Sequence, residues 1–338
     1  MNFRSDNTAP AAPEIIAAIT RVNQGAASAY GEDQWSKALD EKFSALFERD
    51  VRVFTVASGT AANAISVASL TSPWGAVLCH REAHVECDEC GAAEFYSGGA
   101  KLVLVEGAES KVSPAVLQEA IVRNERGIHS VKPAAVSVSQ TTERGGVYSV
   151  AEISAVGRVV KDANLGLHMD GARFGNAVAA LGCKPADVTW RAGVDLLSFG
   201  ATKNGAIAAE AIVCFDMGRA EEVERRRKRS GHLFSKGRFV AAQLLAYLED
   251  GLWLRQARRS NAQAARLAEA AAPFLSHPAM SNQVFIKPGD AALANLRADG
   301  AEFYDWGPKG SGEARLVVSW NQGDADIDKM CALLASLR

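Results

Sequence analysis

Short apolar runs alternate with helical patterns between about residues 33 and 215, and this alternation constrains the fold more than any other feature. Seven runs predict buried strands, at 53–56, 77–79, 102–105, 134–138, 165–169, 194–199 and 211–215. Amphipathic stretches at 33–48, 113–123 and 149–164 predict helices between several of them. Continuous apolar strands separated by helices are typical of a parallel sheet that is covered on both faces. The sequence therefore predicts an α/β fold with a large, mostly parallel, seven-stranded sheet.

The pattern changes after residue 237. Long helices are predicted at 237–250 and 253–272, and Pro273 and Pro278 follow them. Short strands near 284–286 and 316–320 and a last helix at 325–337 then indicate a small α+β unit. We therefore predict a large domain of residues 1–250, which includes the N-terminal segment, and a small C-terminal domain of residues 251–338.

Charge and cysteine usage exclude several classes of protein. The 338 residues include 37 basic and 39 acidic side chains, for a formal net charge of -2, so no basic field favours nucleic acid or a membrane surface. No apolar stretch approaches membrane-spanning length, and residues 1–7 lack the apolar core of a signal peptide. The six cysteines are scattered through a chain too large to need disulfides. We therefore expect reduced thiols and a cytoplasmic protein.

Polar residues follow three of the predicted strands, where active sites of such sheets lie. Ser58, Gly59 and Thr60 come directly before a helical stretch, and Asp170 and Lys203 follow two later strands. Glycine lets a ligand approach the backbone, and the free N–H groups of a helix start attract phosphate. The same three residues also fit a plain helix cap.

The carboxylate and the lysine together predict a particular cofactor. A carboxylate such as Asp170 beside a pyridine nitrogen keeps it protonated, which makes the ring an electron sink. A buried lysine such as Lys203 is costly unless its amine is neutral or covalently used. Taken singly, Asp170 also fits an ion pair with Arg173, and Lys203 fits a side chain that extends from a strand end to water. The possible phosphate site at residues 58–60, which we call the phosphate cup, is followed along the chain by the acid Asp170 and then by Lys203. This order predicts an enzyme that holds pyridoxal 5'-phosphate.

The segment 79–90 contains three cysteines and two histidines. This composition could suggest zinc, but a second pair of ligands is missing elsewhere in the sequence, so no metal is predicted. We expect the imidazole of His84 to stack on the cofactor ring instead, close to the β-hydroxyl of a substrate.

Five segments together resemble the L-threonine aldolase family, which consists of pyridoxal-phosphate enzymes with the aspartate-aminotransferase fold (fold type I). They are Arg4-Ser5-Asp6-Asn7-Thr8, Ala57-Ser58-Gly59-Thr60-Ala61-Ala62-Asn63, Glu82-Ala83-His84, His168-Met169-Asp170-Gly171-Ala172-Arg173 and Ser198-Phe199-Gly200-Ala201-Thr202-Lys203. The resemblance extends from residue 2 to about residue 320. It implies a carbon–carbon lyase of low specificity, which cleaves L-threonine, L-allo-threonine and related β-hydroxy-α-amino acids such as phenylserine to glycine and an aldehyde.

The resemblance also implies residue roles and an assembly. The catalytic residues would be Lys203, which forms the Schiff base, Asp170, which partners the ring nitrogen, and His84. We expect His84, or a water that it orients, to accept the proton of the substrate's β-hydroxyl. The cofactor would be bound by Ser58, Gly59, Thr60, His84, Asp170, Arg173 and Lys203, and the substrate carboxylate by Ser5, Arg173 and Arg315. The family is usually a homotetramer, a dimer of dimers whose sites use both subunits. A basic residue near Lys228 or Arg229 would then reach the neighbouring subunit's phosphate.

Two positions depart from the family pattern. Asp88 stands four residues after His84, where many members carry an aromatic residue. Gln140-Thr141-Thr142-Glu143 replaces a Glu-Asn-Thr-His segment, so a histidine that would face the β-hydroxyl is missing. Glu143 is a candidate to serve there, and the preference at Cβ stays open.

Two alternative functions remain at this point. β-Elimination, transamination or racemisation of an amino acid would use the same lysine, aspartate and phosphate cup. A non-catalytic nucleotide-binding protein of doubly wound fold is the other alternative, although the first strand is not followed by a G-x-G-x-x-G turn.

Overall fold

The computed structural model describes residues 1–337. The helices are α1 Pro13–Val22, α2 Gln34–Phe47, α3 Gly59–Leu70, α4 His84–Cys87, α5 Ala92–Ser97, α6 Pro114–Asn124, α7 Val150–Asp162, α8 Phe174–Leu181, α9 Ala220–Arg229, α10 Arg238–Leu248, α11 Leu252–Ala270, α12 Asp290–Ala298 and α13 Asp324–Ser336. The strands are β1 Arg52–Val56, β2 Gly75–His80, β3 Lys101–Val105, β4 Lys132–Ser139, β5 Gly166–Gly171, β6 Leu196–Gly200, β7 Glu210–Cys214, β8 Gln283–Ile286, β9 Tyr304–Trp306 and β10 Glu313–Val317.

The first seven strands form one sheet, in the order β1-β7-β6-β5-β4-β2-β3. Only β7 is antiparallel to its neighbours in this sheet, pairing in that sense with β1 and with β6. Every residue of β2, β5, β6 and β7 is buried, as expected for strands with helices on both faces. The predicted seven-stranded, mostly parallel sheet is confirmed, and each predicted strand is present with bounds within two residues of those expected.

An aromatic cluster packs beneath the strands that lead to the site. Asp33 caps α2 by accepting a 2.8 Å hydrogen bond from Ser36 N, and the buried face of α2 carries Phe43 and Phe47. The ring of Phe43 meets that of Phe199 edge-on, with centroids 5.1 Å apart. Phe199 belongs to β6, so this contact supports the strand that ends just before Lys203.

The last three strands form a small antiparallel sheet, in the order β8-β10-β9. The N-terminus of the chain joins this sheet: Phe3 N donates to Glu302 O at 2.7 Å, and Val317 N donates to Phe3 O at 2.9 Å. Phe3 is fully buried in the core beneath it. The N-terminal segment therefore runs from the small sheet toward the site of the large one. The division into domains 1–250 and 251–338 stays a prediction.

None of the helices within residues 1–337 combines the length and the hydropathy that crossing a membrane requires.

The substitution Phe43→Ala is expected to lower the free energy of unfolding by about 3–5 kcal/mol, because it removes a fully buried ring and leaves a cavity. The matched change Ile128→Ala removes a side chain that is 97% exposed, and we expect a change within about 0.5 kcal/mol. Urea unfolding followed by circular dichroism measures both. Equal effects of the two changes would contradict this account of the core.

Candidate active site

A cavity of about 350 Å³ lies beyond the carboxyl ends of the parallel strands. Seven of the nine predicted site residues line it: Ser5, Gly59, His84, Asp170, Arg173, Lys203 and Arg315. The other two, Ser58 and Thr60, flank Gly59 at the start of α3. The fold thus brings together residues that lie up to about 310 positions apart in the chain, and it does so at the edge of the sheet where the sequence predicted them.

Asp170 is the second-to-last residue of β5 and is buried. Its Oδ2 accepts a 2.8 Å hydrogen bond from Asn63 Nδ2, and its Oδ1 accepts a 2.9 Å hydrogen bond from Ala172 N. Burial raises the pKa of the Asp170 carboxyl, but the positive charges of His84 and Lys203 outweigh burial and lower it. Asp170 is therefore held as a carboxylate inside the protein.

Lys203 lies in the turn Thr202–Asn204, directly after β6. Glu210, on β7, anchors this turn by accepting hydrogen bonds from Ala201 N at 3.2 Å and from Thr202 N at 3.4 Å. Burial, followed by the nearby charge of Arg173, lowers the pKa of the Lys203 amine. The turn therefore presents to the cavity a lysine that is more easily neutral than an exposed one.

Arg173 pairs with Asp6, not with Asp170. Its Nε and Nη2 donate to the two carboxylate oxygens of Asp6 at 2.7 and 2.9 Å, and the pair is almost fully buried. Asn282 Nδ2 donates to the same carboxylate at 3.1 Å. The alternative of an Asp170–Arg173 ion pair is thus wrong, because Asp170 is occupied by other donors. Asp6 was missed as a functional residue, although it lies within the N-terminal segment that carried the resemblance.

Arg315 enters the cavity from β10, with its guanidinium 4.8 Å from the ring centroid of Trp306. Its Nε is buried and has no hydrogen-bond partner among the described residues. Burial lowers the pKa of Arg315 to about 10, so the side chain is still a cation at neutral pH. A partly buried cation with a buried, unused donor is suited to an anionic group of a ligand, as the predicted carboxylate clamp requires.

The imidazole of His84 is held by a chain of hydrogen bonds that the sequence analysis did not anticipate. His84 Nδ1 lies 2.8 Å from Glu89 Oε1, and Asn63 Nδ2 donates to this oxygen and to Asp170 Oδ2, at 2.8 Å in each case. The hydrogen bond that His84 Nδ1 donates to the Glu89 carboxylate raises the pKa of His84. Sequence reasoning missed Glu89 and Asn63 as functional residues. Glu89 lies among the cysteines of segment 79–90, and Asn63 follows Ser58, Gly59 and Thr60. Neither residue belongs to a pattern that would have indicated its contact with His84 or Asp170.

His84, Glu89 and Asp170 are also the one group of three metal-ligating side chains found among residues 1–337, with ligand atoms within 4.8 Å of one another. The cysteines of segment 79–90 do not belong to this group. The amide group of Asn63 already donates to the carboxylates of both Glu89 and Asp170. This arrangement suits Glu89 for holding the imidazole of His84, and it suits Asp170 for binding a ring nitrogen.

The start of α3 combines a cap with an open backbone. Ser58 Oγ accepts from Ala61 N at 3.2 Å, so this hydroxyl caps the helix as the plainer alternative expected. A Cβ added to Gly59 would meet nothing within 4 Å, so the backbone faces open space there. The first N–H groups of a helix lack partners within it, and they remain suited to an anion.

The fold and this site define an enzyme of the aspartate-aminotransferase-like class. The chain belongs to the beta-eliminating lyase family, whose model matches residues 2–288. It is 42% identical to the low specificity L-threonine aldolase of Pseudomonas sp. (strain NCIMB 10558), over 98% of this chain and 96% of the relative. It is 43% identical to the low specificity L-threonine aldolase of Pseudomonas aeruginosa, over 99% of this chain and 96% of the relative.

Solved structures agree with this assignment. The threonine aldolase of Leishmania major matches with a TM-score of 0.93 and 28% identity, over 99% of both chains. A mutant aspartate aminotransferase of Thermus thermophilus matches with a TM-score of 0.74 and 16% identity, over 100% of this chain and 91% of that one, which shows the fold alone. The predicted fold class and the resemblance to threonine aldolases are confirmed, and the protein is a lyase.

The substitution Asp6→Asn is expected to lower the free energy of unfolding by about 3–5 kcal/mol, because it leaves the guanidinium of Arg173 buried without its carboxylate. The exposed pair of Arg4 and Glu302, at 2.9 Å, provides a control on the same segment. Glu302→Gln should cost about 0–1 kcal/mol. Urea unfolding of the cofactor-free protein measures both changes, and a loss no larger for Asp6→Asn than for Glu302→Gln would contradict the importance of the buried pair.

The buried carboxyl of Glu210 is expected to make the free energy of unfolding depend on pH. Burial raises the pKa of its carboxyl from 4.5 to about 7, so the folded protein holds a proton that the unfolded chain releases. This contribution is fully present below about pH 4.5 and is lost as the pH rises to about 7, by roughly 3 kcal/mol in total. Glu210→Gln cannot titrate, so the difference in unfolding free energy between wild type and variant should change over this window. A difference that is constant with pH would contradict the prediction.

Proposed function

We propose that the protein is a pyridoxal 5'-phosphate-dependent L-threonine aldolase of low specificity. It cleaves L-threonine, L-allo-threonine and related β-hydroxy-α-amino acids, such as phenylserine, to glycine and an aldehyde. The observation that carries this proposal is the common cavity of Lys203, Asp170 and His84, between the helix start at Gly59 and the cation of Arg315. The names of the two Pseudomonas relatives support the substrate class.

The residues present fit the cofactor. The open backbone at Gly59 and the helix start suit its phosphate, together with Ser58 and Thr60, and the ionised Asp170 suits a protonated ring nitrogen. Lys203 would supply the amine that holds the aldehyde group. When bound, pyridoxal phosphate supplies an electron-poor ring that accepts the electron pair of a bond broken at the substrate Cα.

The protein's own side chains then orient the ring and the substrate. His84, fixed through Glu89, would stack on the ring and hold its plane. Arg315 would bind the substrate carboxylate with its unused Nε, with Ser5 beside it in the cavity. Arg173 would contribute only Nη1, because Asp6 occupies Nε and Nη2. A carboxylate held in this way would set the direction of the Cα–Cβ bond relative to the ring.

The assembly is a further part of the proposal. A homotetramer built from dimers is supported by a groove of about 1010 Å³ that α3, α5 and α9 line, with Phe95 78% exposed beside it. Arg227 is buried against Thr55, whereas Lys228 lies at the surface with its Nζ 4.6 Å from the ring centroid of Tyr30. Lys228 or Arg229 would reach the neighbouring subunit's phosphate. A cytoplasmic location is supported by six free thiols.

The lysine provides the sharpest test. Lys203→Ala is expected to reduce aldehyde release from threonine by about 10³-fold or more, because no other amine would hold the cofactor aldehyde. Borohydride reduction of the wild-type holoenzyme should attach the cofactor to the peptide that contains Lys203, which mass spectrometry detects. Lys101→Ala, at an exposed position on β3, is the matched control and should keep both properties. Labelling of another lysine in the wild type would show that the assignment is wrong.

A substrate panel separates the aldolase from other reactions of the same cofactor. Threonine, allo-threonine and phenylserine should each yield glycine and an aldehyde. β-Elimination would instead yield a 2-oxo acid and ammonia, and transamination would require an added 2-oxo acid. Formation of these products without aldehyde would favour the alternative, another amino-acid lyase or an aminotransferase of fold type I.

A further inference from the structure

Glu143 is a carboxylate in the active-site cavity to which the proposed cofactor and carboxylate contacts assign no role. It follows β4, and its Oε1 accepts hydrogen bonds from Ser139 Oγ at 2.6 Å and from His84 N at 3.0 Å. Its Oε2 is shielded from water and has no hydrogen-bond partner within residues 1–337, although the side chain lines the cavity. Buried acceptors are nearly always paired, so this oxygen is expected to meet a group of the bound substrate.

The other basic groups of the cavity are already committed. His84 Nδ1 is bonded to the Glu89 carboxylate, which raises the pKa of the imidazole and favours its protonated form. Burial also raises the pKa of the Glu89 carboxyl, so the two groups share a proton on this hydrogen bond, and Nδ1 is not free for a ligand. Asp170 uses both carboxylate oxygens, one toward Asn63 and one toward a backbone N–H. Asp88 lines the cavity at an exposed position, where water can solvate it.

We propose that Glu143 is the catalytic base that accepts the proton of the substrate's β-hydroxyl, with Oε2 as the accepting atom. This inference rests on the proposed function. The proton moves from the hydroxyl to Oε2, and the O–H electron pair becomes the second C–O bond of the aldehyde. The Cα–Cβ bond would break, and its electron pair would be accepted by the electron-poor ring that pyridoxal phosphate, held by Lys203 and Asp170, would supply. In the direction of synthesis, Glu143 returns the proton to the new hydroxyl.

The surroundings of Glu143 suit this task. Burial, with a smaller contribution from the negative charge of Asp170, raises the pKa of the Glu143 carboxyl to about 7. A base with a pKa near the working pH combines a useful ionised fraction with a strong tendency to take the proton. Ser139 and the backbone of His84 hold Oε1, so only Oε2 is free to turn its lone pairs toward a ligand. The negative charge of Glu143 in turn contributes to raising the pKa values of Cys79, Cys87 and Tyr148.

The first experiment compares aldehyde release by Glu143→Gln, Glu143→Asp and Glu119→Gln. Glutamine keeps the size of the side chain but accepts no proton, so kcat/KM for threonine should fall about 10²-fold or more. Aspartate restores a carboxylate and should recover part of this loss. Glu119 is exposed on α6, outside the cavity, and its substitution should leave kcat/KM unchanged.

The second experiment separates the base from a structural role. Glycine has no β-hydroxyl, so exchange of its α-hydrogen with solvent deuterium does not include the step that we assign to Glu143. Glu143→Gln should therefore keep this exchange, followed by nuclear magnetic resonance, within about threefold of the wild type, while aldehyde release is lost. An equal loss of exchange and cleavage would overturn the proposal, because Glu143 would then act on folding or on cofactor binding.

The third measurement uses the cofactor-free protein. Infrared difference spectra between about pH 5 and about pH 9 should contain protonated-carboxyl absorption that titrates near pH 7, to which Glu143 and Glu210 both contribute. Glu143→Gln should lose the part of this absorption that Glu210→Gln keeps. In the holoenzyme, the acidic limb of kcat/KM for threonine should be lost in the same variant. The absorption or the limb persisting unchanged in Glu143→Gln would overturn the proposal.

Two further outcomes have definite meanings. If Asp88→Asn, and not Glu143→Gln, loses cleavage while keeping glycine exchange, the base is Asp88 and the proposal is overturned. If the wild-type protein exchanges the glycine hydrogen but releases no aldehyde from any β-hydroxy amino acid, the proposed function fails, and this inference fails with it. Normal cleavage by the wild type and by Glu143→Gln would overturn the inference alone.

Discussion

The buried carboxylate of Asp170 is the constraint on which the rest of the site depends. A carboxylate within the protein is costly unless hydrogen bonds and positive charges compensate for the lost water. Asn63 and the N–H of Ala172 supply the hydrogen bonds, and His84 and Lys203 supply the charge. Each of these groups belongs to a different element of the large sheet or its helices. Keeping Asp170 ionised therefore requires the carboxyl ends of the strands to meet at one point.

A second buried charge ties the N-terminal segment to this point. Asp6 and Arg173 form a bidentate pair, and Phe3, a few residues earlier, is hydrogen-bonded to the small sheet. One short stretch of chain thus connects the small sheet, which carries Arg315, to the loop after β5. This connection places the proposed carboxylate clamp over the ring site. It also explains why Arg173 has fewer donors left for a substrate than its sequence motif suggested.

The titratable side chains that line or support the cavity have pKa values shifted in different directions. The Glu89 carboxylate favours a protonated His84, the charges near Asp170 favour its ionised form, and burial moves Glu143 and Lys203 toward their neutral forms. An imidazole with a raised pKa, a carboxylate, a weak acid near neutrality and an easily neutralised amine thus share one cavity. Groups whose surroundings push their pKa values apart are typical of sites that move protons. In the proposed mechanism His84 would orient the ring, and Glu143 would act as the base.

The pattern of apolar runs was enough to predict the seven strands, their mostly parallel pairing and the edge of the sheet where Asp170 and Lys203 meet. It succeeded because burial on both faces imposes a local signal, a continuous apolar run, on each strand. The partners of these residues left no such signal. Glu89 and Asn63 have ordinary neighbours in the sequence, and Asp6 meets Arg173 across 167 positions. Sequence alone therefore determined the architecture and the candidate residues of this protein, since these follow from local composition and motif order. Which carboxylate holds which cation, and which oxygen is left free for a substrate, depended on distances between remote segments that exist only once the chain has folded.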